Sequence, residues 1–279
     1  MRILVTNDDG IDSTGLHELV KAMSPLGDVV VVAPDSEYSG ASAAVGALHL
    51  IHPEVRRTTV EGAGEAFTVS GPPALCVLFA RMGVFGAVPD LVVSGINPGA
   101  NVGRAVYHSG TVGAATTARN GNITGVAVSQ EVTGYGIEGQ GWDDALAGQL
   151  WGSAATVAQG VVAAMIESMP TKAVVLNVNV PNLPIDQIKG WRYTEVGMTV
   201  PRSIHSAALE PRPGHDGSFW VKMSYGESVQ LPIEEDGGAV EAGYVALSWL
   251  SRFRHEIGED LDDSVIRGAL DAMVGGVDI

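Results

Sequence analysis

The residues best suited to chemistry lie near the start of the chain, where Asn7, Asp8, Asp9 and Gly10 follow the apolar run Ile3-Leu4-Val5. Adjacent carboxylates repel one another, and holding them together is costly unless a cation sits between them. Oxygen donors of this kind favour a hard divalent ion such as Mg²⁺ or Mn²⁺. The same tetrapeptide also suits a simple turn, since Asn, Asp and Gly are all good turn formers. Two later stretches offer further oxygen donors. Glu-Tyr-Ser-Gly-Ala-Ser at 37–42 contains Ser39 and Gly40, and Ser-Gly-Ile-Asn-Pro-Gly-Ala-Asn at 94–101 contains Asn97 and Asn101. Ser109, Gly110 and Thr111 then open a predicted helix. Carboxylate, amide and hydroxyl oxygens together complete the shell of a six-coordinate ion and leave room for water and substrate. Backbone amides at the helix start suit a phosphate, to which Ser109 and Thr111 add hydroxyl donors. A bound ion lowers the pKa of water, so the expected chemistry is phosphate-ester hydrolysis by metal-activated water.

Such donors meet only if a sheet carries them to one edge. Ile3–Val5 reads as a buried parallel strand, and open α/β sheets take their ligands outside the carboxyl ends of strands. A helix follows at 14–23, with Leu16, Leu19, Val20 and Met23 on one face, then a strand at 28–33 stopped by Pro34. A long loop at 35–46 precedes strands expected at 48–52 and 58–69 and a helix at 72–82. A core strand at 90–94, a Gly/Asn-rich loop at 95–110 and a small-residue helix at 111–119 come next. The first part ends with a strand at 126–129, an amphipathic helix marked by Leu146, Leu150, Val157, Val161 and Met165, and a strand at 173–180. This alternation is the signature of βαβ units and a mostly parallel sheet. From about 185 the pattern changes to extended, aromatic-bearing segments around Pro201, Pro211, Pro213, Gly214 and Gly217, read as an irregular β arm. A strand at 243–249 and a helix at 260–273 close the chain. One domain over 1–279 is expected, with a core at about 1–184 and 240–279 and the arm at about 185–239.

Composition narrows the field. With 46% hydrophobic residues, the chain of 279 residues buries a substantial core. Its formal charge of −16, from 32 acids against 16 basic residues, excludes long contacts with nucleic-acid polymers. The single cysteine, Cys76, lies in an apolar stretch and reads as a buried, inert thiol. No signal-peptide pattern and no apolar run long enough for a membrane span is found, so a cytoplasmic location is expected.

The chain resembles the SurE (survival protein E) family of metal-dependent nucleotidases. The resemblance rests on Ile-Leu-Val-Thr-Asn-Asp-Asp-Gly-Ile at 3–11, Val-Val-Val-Ala-Pro at 30–34, Ser-Gly at 39–40 and Pro-Asp-Leu-Val-Val-Ser-Gly-Ile-Asn at 89–97. Ser-Gly-Thr-Val-Gly-Ala-Ala at 109–115, Leu-Asn-Val-Asn-Val-Pro at 176–181 and Ala-Gly-Tyr-Val at 242–245 continue it. It implies a Rossmann-like three-layer α/β/α fold with a mostly parallel sheet, a projecting β arm and a C-terminal strand-helix segment. It implies one divalent ion per subunit, Mg²⁺ or Mn²⁺, on Asp8, Asp9, Ser39 and Asn97. Asp8 and Asp9 are also the implied catalytic residues, and Asn101, Ser109, Gly110 and Thr111 the phosphate-binding ones. The implied substrate is a nucleoside monophosphate, phosphorylated at 5′ or 3′, and the implied assembly a homodimer or homotetramer.

Some positions depart from the family pattern. Leu75 stands where an acid is usual, and His108 replaces a tyrosine before Ser-Gly-Thr. His108 reads as a partly buried structural residue filling an aromatic's place; protonating a leaving alkoxide is the other role open to it. Trp191, Trp220 and Trp249 read as packing or interface residues, and the arm is a candidate roof for the nucleoside pocket. Two rival functions remain: a haloacid-dehalogenase-type phosphatase acting through an aspartyl-phosphate, and a nucleotide-binding regulator without turnover.

Overall fold

A computed structural model describes residues 1–132, 146–199, 202–252 and 264–274. The first part contains β1 (Arg2–Thr6), α1 (Thr14–Met23), β2 (Asp28–Pro34), β3 (Val55–Thr58), β4 (Glu65–Val69), α2 (Pro73–Arg81) and β5 (Leu91–Pro98). It continues through α3 (Gly110–Asn120), β6 (Thr124–Gln130), α4 (Trp151–Glu167) and β7 (Val175–Val180). The remainder holds β8 (Trp191–Tyr193), β9 (Arg202–Pro211), β10 (Phe219–Ser228), α5 (Asp236–Glu241), β11 (Val245–Leu250) and α6 (Ser264–Val274).

One nine-stranded sheet has the order β3-β4-β2-β1-β5-β6-β7-β11-β8. Its middle, from β4 to β7, is parallel, whereas β3 and β11 run antiparallel to β4 and β7. Alternation along the strands explains the layers. Ile3, Val5, Val29, Val31, Leu91 and Val93 face α1 and α4, while Leu4, Val30, Val32 and Val92 face α2 and α3. Helix α1 begins where the Ser13 side chain accepts from the Leu16 amide, and it buries the apolar stripe through Leu16, Leu19, Val20 and Met23. Leu75, in place of the family's acid, is fully buried in the cluster on the α2 side. Cys76 is buried beside it, and burial pushes its thiol above the ordinary range, as an inert core residue requires.

The sequence misplaces several elements. No strand forms at 48–52, where Leu48 and Leu50 are exposed in turns and Pro53 removes a ladder donor. The strand expected at 58–69 is broken by Gly62 and Gly64 into the end of β3 and β4. The arm is more regular than expected: β9 and β10 pair as an antiparallel hairpin of two ten-residue strands with register shifts near Tyr225. Trp191–Tyr193 leaves the arm and joins the main sheet as β8, pairing with β11. Helix α5 is a further addition, too short and too rich in glycine to show a helical period. Among the described residues, no helix is long and apolar enough to cross a membrane.

Candidate active site

β1 pairs with β2 on one side and with β5 on the other. The chain winds outward through β2, then returns to start again at β5, so a crevice opens where the two directions part. The loops after β1, β2 and β5 border a cleft of about 820 Å³ there, into which Asp8, Asp9, Ser39, Asn97, Asn101 and Ser109 all converge.

Asp8 is held most firmly. It is 2% exposed, and its Oδ1 accepts from the Thr111 hydroxyl at 2.5 Å while its Oδ2 accepts from the Gly110 amide at 3.1 Å. Gly110 is required for this approach, because a Cβ there would lie 2.7 Å from Asp8. The same Thr111 hydroxyl lies 3.3 Å from Asn97 Oδ1, and the Asn97 amide nitrogen donates to Gly99 O at 2.7 Å, which fixes the amide's direction. Burial raises the Asp8 pKa above the usual carboxylate range, against the pull of the Thr111 and Gly110 hydrogen bonds.

Asp9 is held far less well. Its Oδ2 is buried with no hydrogen-bond partner. Burial, then repulsion by Asp8 and by Glu37, pushes its pKa up to about 8. A buried, unpartnered carboxylate oxygen beside a second carboxylate is the arrangement a hard divalent cation relieves. Among the described residues, no three His, Cys, Asp or Glu side chains converge to hold a metal. A cation here would have to draw on amide and hydroxyl oxygens too, and Asn97 and the exposed Ser39 line the same cleft.

The residues expected to bind phosphate are placed less simply. The Thr111 hydroxyl and Gly110 amide both turn to Asp8. The Ser109 hydroxyl caps α3, accepting from the Val112 amide at 3.1 Å. Asn101 donates from Nδ2 to Ser129 Oγ at 2.8 Å, leaving its Oδ1 uncommitted. His108 is exposed and lines the cleft, so it is not the partly buried aromatic substitute expected from sequence. Among the described residues, none that lines the cleft comes from the β9–β10 hairpin.

Sequence reasoning passed over several contributors. Glu37 presses on Asp9, and only its place two residues before Ser39 hinted at this. Asn177 and Asn179, buried in β7, hold the Asn101 backbone: both donate to its carbonyl, and Asn179 Oδ1 accepts from its amide at 2.7 Å. The signal was present in Leu-Asn-Val-Asn-Val-Pro, since polar residues spaced by two point to one face of a strand. The buried Asp236 accepts from the amides of Gly103, Gly197 and Gly237 at 2.9–3.1 Å. Gly103 opens the 3-10 turn Gly103–Tyr107 that leads to Ser109, so Asp236 braces the site from behind.

Comparison with known proteins identifies relatives of the chain. A sequence model of the family described as Survival protein SurE matches residues 3–202. The 5'/3'-nucleotidase SurE of Erwinia tasmaniensis is 36% identical over 250 residues, covering 90% of each chain. The 5'-nucleotidase SurE of Aeromonas hydrophila is 36% identical over 259 residues, covering 90% of this chain and 92% of that one. The crystal structure of the Sure protein from Aquifex aeolicus superposes with a TM-score of 0.70 at 28% identity, covering 98% of this chain and 99% of that chain. Matched in sequence along most of its length and in fold along nearly all of it, this chain belongs to the SurE family.

Proposed function

We propose that the chain is a metal-dependent nucleotidase that hydrolyses nucleoside monophosphates, at 5′ or 3′, to nucleoside and phosphate. The observation that carries this reading is the pair of carboxylates at the sheet's crevice, Asp8 buried and Asp9 half-buried with one buried oxygen left unpartnered. Asp8, Asp9, Asn97 and Ser39 would hold one divalent ion, Mg²⁺ or Mn²⁺. When bound, that ion supplies Lewis-acid polarisation of a phosphoryl oxygen and acidifies water for the attack. Thr111 and Gly110 fix the Asp8 carboxylate, so it is presented without reorganisation. Asp8 or Asp9 would also orient the attacking water or accept its proton. The Ser109 hydroxyl, which keeps its proton free to donate, would meet the phosphate, and Asn101 borders the same space. His108, exposed on the same cleft, would be a candidate proton donor to the leaving oxygen.

The test is phosphate release from a panel of nucleoside monophosphates, with Mn²⁺, with Mg²⁺ and after chelation. Turnover that needs the metal supports the reading. Tight binding without turnover would instead make the chain a regulator, and a trapped phospho-aspartate would place it with the haloacid-dehalogenase enzymes. Thr111→Val is expected to lower kcat by about tenfold or more, because it removes the hydroxyl between Asp8 and Asn97. Thr111→Ser should retain most of the activity, and the same assay on both variants checks this.

We also infer a homodimer or homotetramer in the cytoplasm, built on a single-domain subunit. The support is the hairpin, which exposes Leu209, Phe219, Trp220 and Val221 although two strands alone make a poor core.

A further inference from the structure

A second cleft, behind the start of α3, has the opposite charge character. It measures about 670 Å³ and is lined by Tyr107, Thr116, Arg119, Trp249 and Arg252 among others, with no carboxylate among the described residues that line it. Three other clefts are each bordered by at least two acids: Glu18 and Asp186 in one, Asp9 and Glu37 in the other two. In a chain with twice as many acidic as basic residues, 32 against 16, a cleft with two arginines and no acid stands apart.

Arg119 is only 4% exposed. Its Nη1 donates to the Leu250 carbonyl at 2.6 Å, but its buried Nε has no partner. Arg252 donates to the Arg119 carbonyl at 3.3 Å, which brings a second positive charge beside the first. Among the described residues, neither guanidinium has a carboxylate within ion-pair distance. Burial, and then the Arg252 charge, lower the Arg119 pKa. Among the described residues this buried cation has no counter-ion, an unfavourable arrangement that an anion in the cleft would relieve.

We propose that this cleft is a second anion site, separate from the carboxylate cleft, and that it takes a phosphate group. Guanidinium forks match tetrahedral oxyanions with paired, charge-assisted hydrogen bonds, better than an ammonium does. Thr116 adds a hydroxyl to the lining. Tyr107 and Trp249, 62% and 50% exposed, border the same space and suit a nucleotide's base as well as a free phosphate. The two clefts share a wall: Tyr107 lines this one, and His108 and Ser109 line the other. The proposal stands independently of the catalytic reading, because it uses none of the carboxylate ligands.

The test is calorimetric binding of inorganic phosphate to the full chain, first loaded with Mn²⁺ and then after chelation. Chelation removes binding that depends on the metal, and the arginine site should remain. Arg252→Gln, an exposed position, is expected to weaken the remaining site by about tenfold or more, and Arg119→Lys should weaken it as well. A non-hydrolysable nucleoside phosphonate separates the two sources of phosphate. Tighter binding than phosphate, lost in Trp249→Ala, identifies a nucleotide; equal binding identifies free phosphate. The proposal is overturned if no phosphate binds after chelation, or if Arg252→Gln binds it like the wild type. If Arg252→Gln changes the sedimenting species and leaves phosphate affinity unaltered, the cleft belongs to a second copy of the chain, and the proposal is likewise wrong.

Discussion

Asp9→Asn is expected to lower phosphate release from a nucleoside monophosphate by about a thousandfold while the metal-free protein unfolds no more easily than the wild type. The two halves of this result have one cause. In the metal-free protein, the half-buried Asp9 carboxylate has one buried oxygen without a partner and is repelled by Asp8 and Glu37. Exchanging it for the isosteric amide removes that repulsion and keeps the volume, so the bare fold loses nothing. Catalysis needs the charge that the bare fold finds costly. Losses of this size are normal when a group acting together with others in one site is removed.

Metal binding supplies a second readout for the same substitution. A ligand at a hundredfold excess over its Kd stabilises the folded state by about 2.7 kcal/mol. For a chain of this length, each kcal/mol raises Tm by about 2–4 °C. Adding Mn²⁺ should therefore raise the wild-type Tm by about 5–10 °C and leave Asp9→Asn nearly unmoved. Thermal scans of both proteins with and without Mn²⁺ provide the check.

Asp236→Ala should produce the largest loss of stability. It removes one buried carboxylate and leaves the amides of Gly103, Gly197 and Gly237 without an acceptor. Each orphaned buried amide costs about 1–3 kcal/mol, partly offset because the buried carboxylate was itself costly. Burial indeed raises the Asp236 pKa, ahead of the opposing backbone hydrogen bonds from Gly197, Gly103 and Gly237. The net expectation is a loss of about 3–5 kcal/mol, or about 10 °C in Tm. Asp236→Asn, which keeps an acceptor oxygen, should lose less. Chemical denaturation of the two variants separates loss of the acceptor from loss of charge, and equal stability in both would contradict the bracing role.

Much of the framework can be read from the chain because the relevant signals are local. Val-rich runs such as 28–33 have few alternatives to a buried strand, and Pro34 marks its end. The tandem acids announce their chemistry because two adjacent carboxylates after such a strand need an explanation. The partners that make them work are harder to see. Thr111 serves Asp8 across 103 positions of sequence, and Asp236 reaches Gly103 across 133. Nothing in the neighbourhood of either residue reports those distances. Leu48–His52 misleads for the converse reason: its apolar content resembles a strand, but Leu48 and Leu50 are exposed in turns and Pro53 follows. His108 was misjudged because its setting is decided by the turn braced from Asp236, which its own neighbours in sequence do not reveal.

The most direct measurement is anomalous diffraction from a crystal of this protein soaked in Mn²⁺. The account predicts a single strong peak in each subunit, within about 2.0–2.6 Å of oxygens from both Asp8 and Asp9. A protein that still releases phosphate from nucleoside monophosphates, yet shows no peak beside either carboxylate, would contradict it.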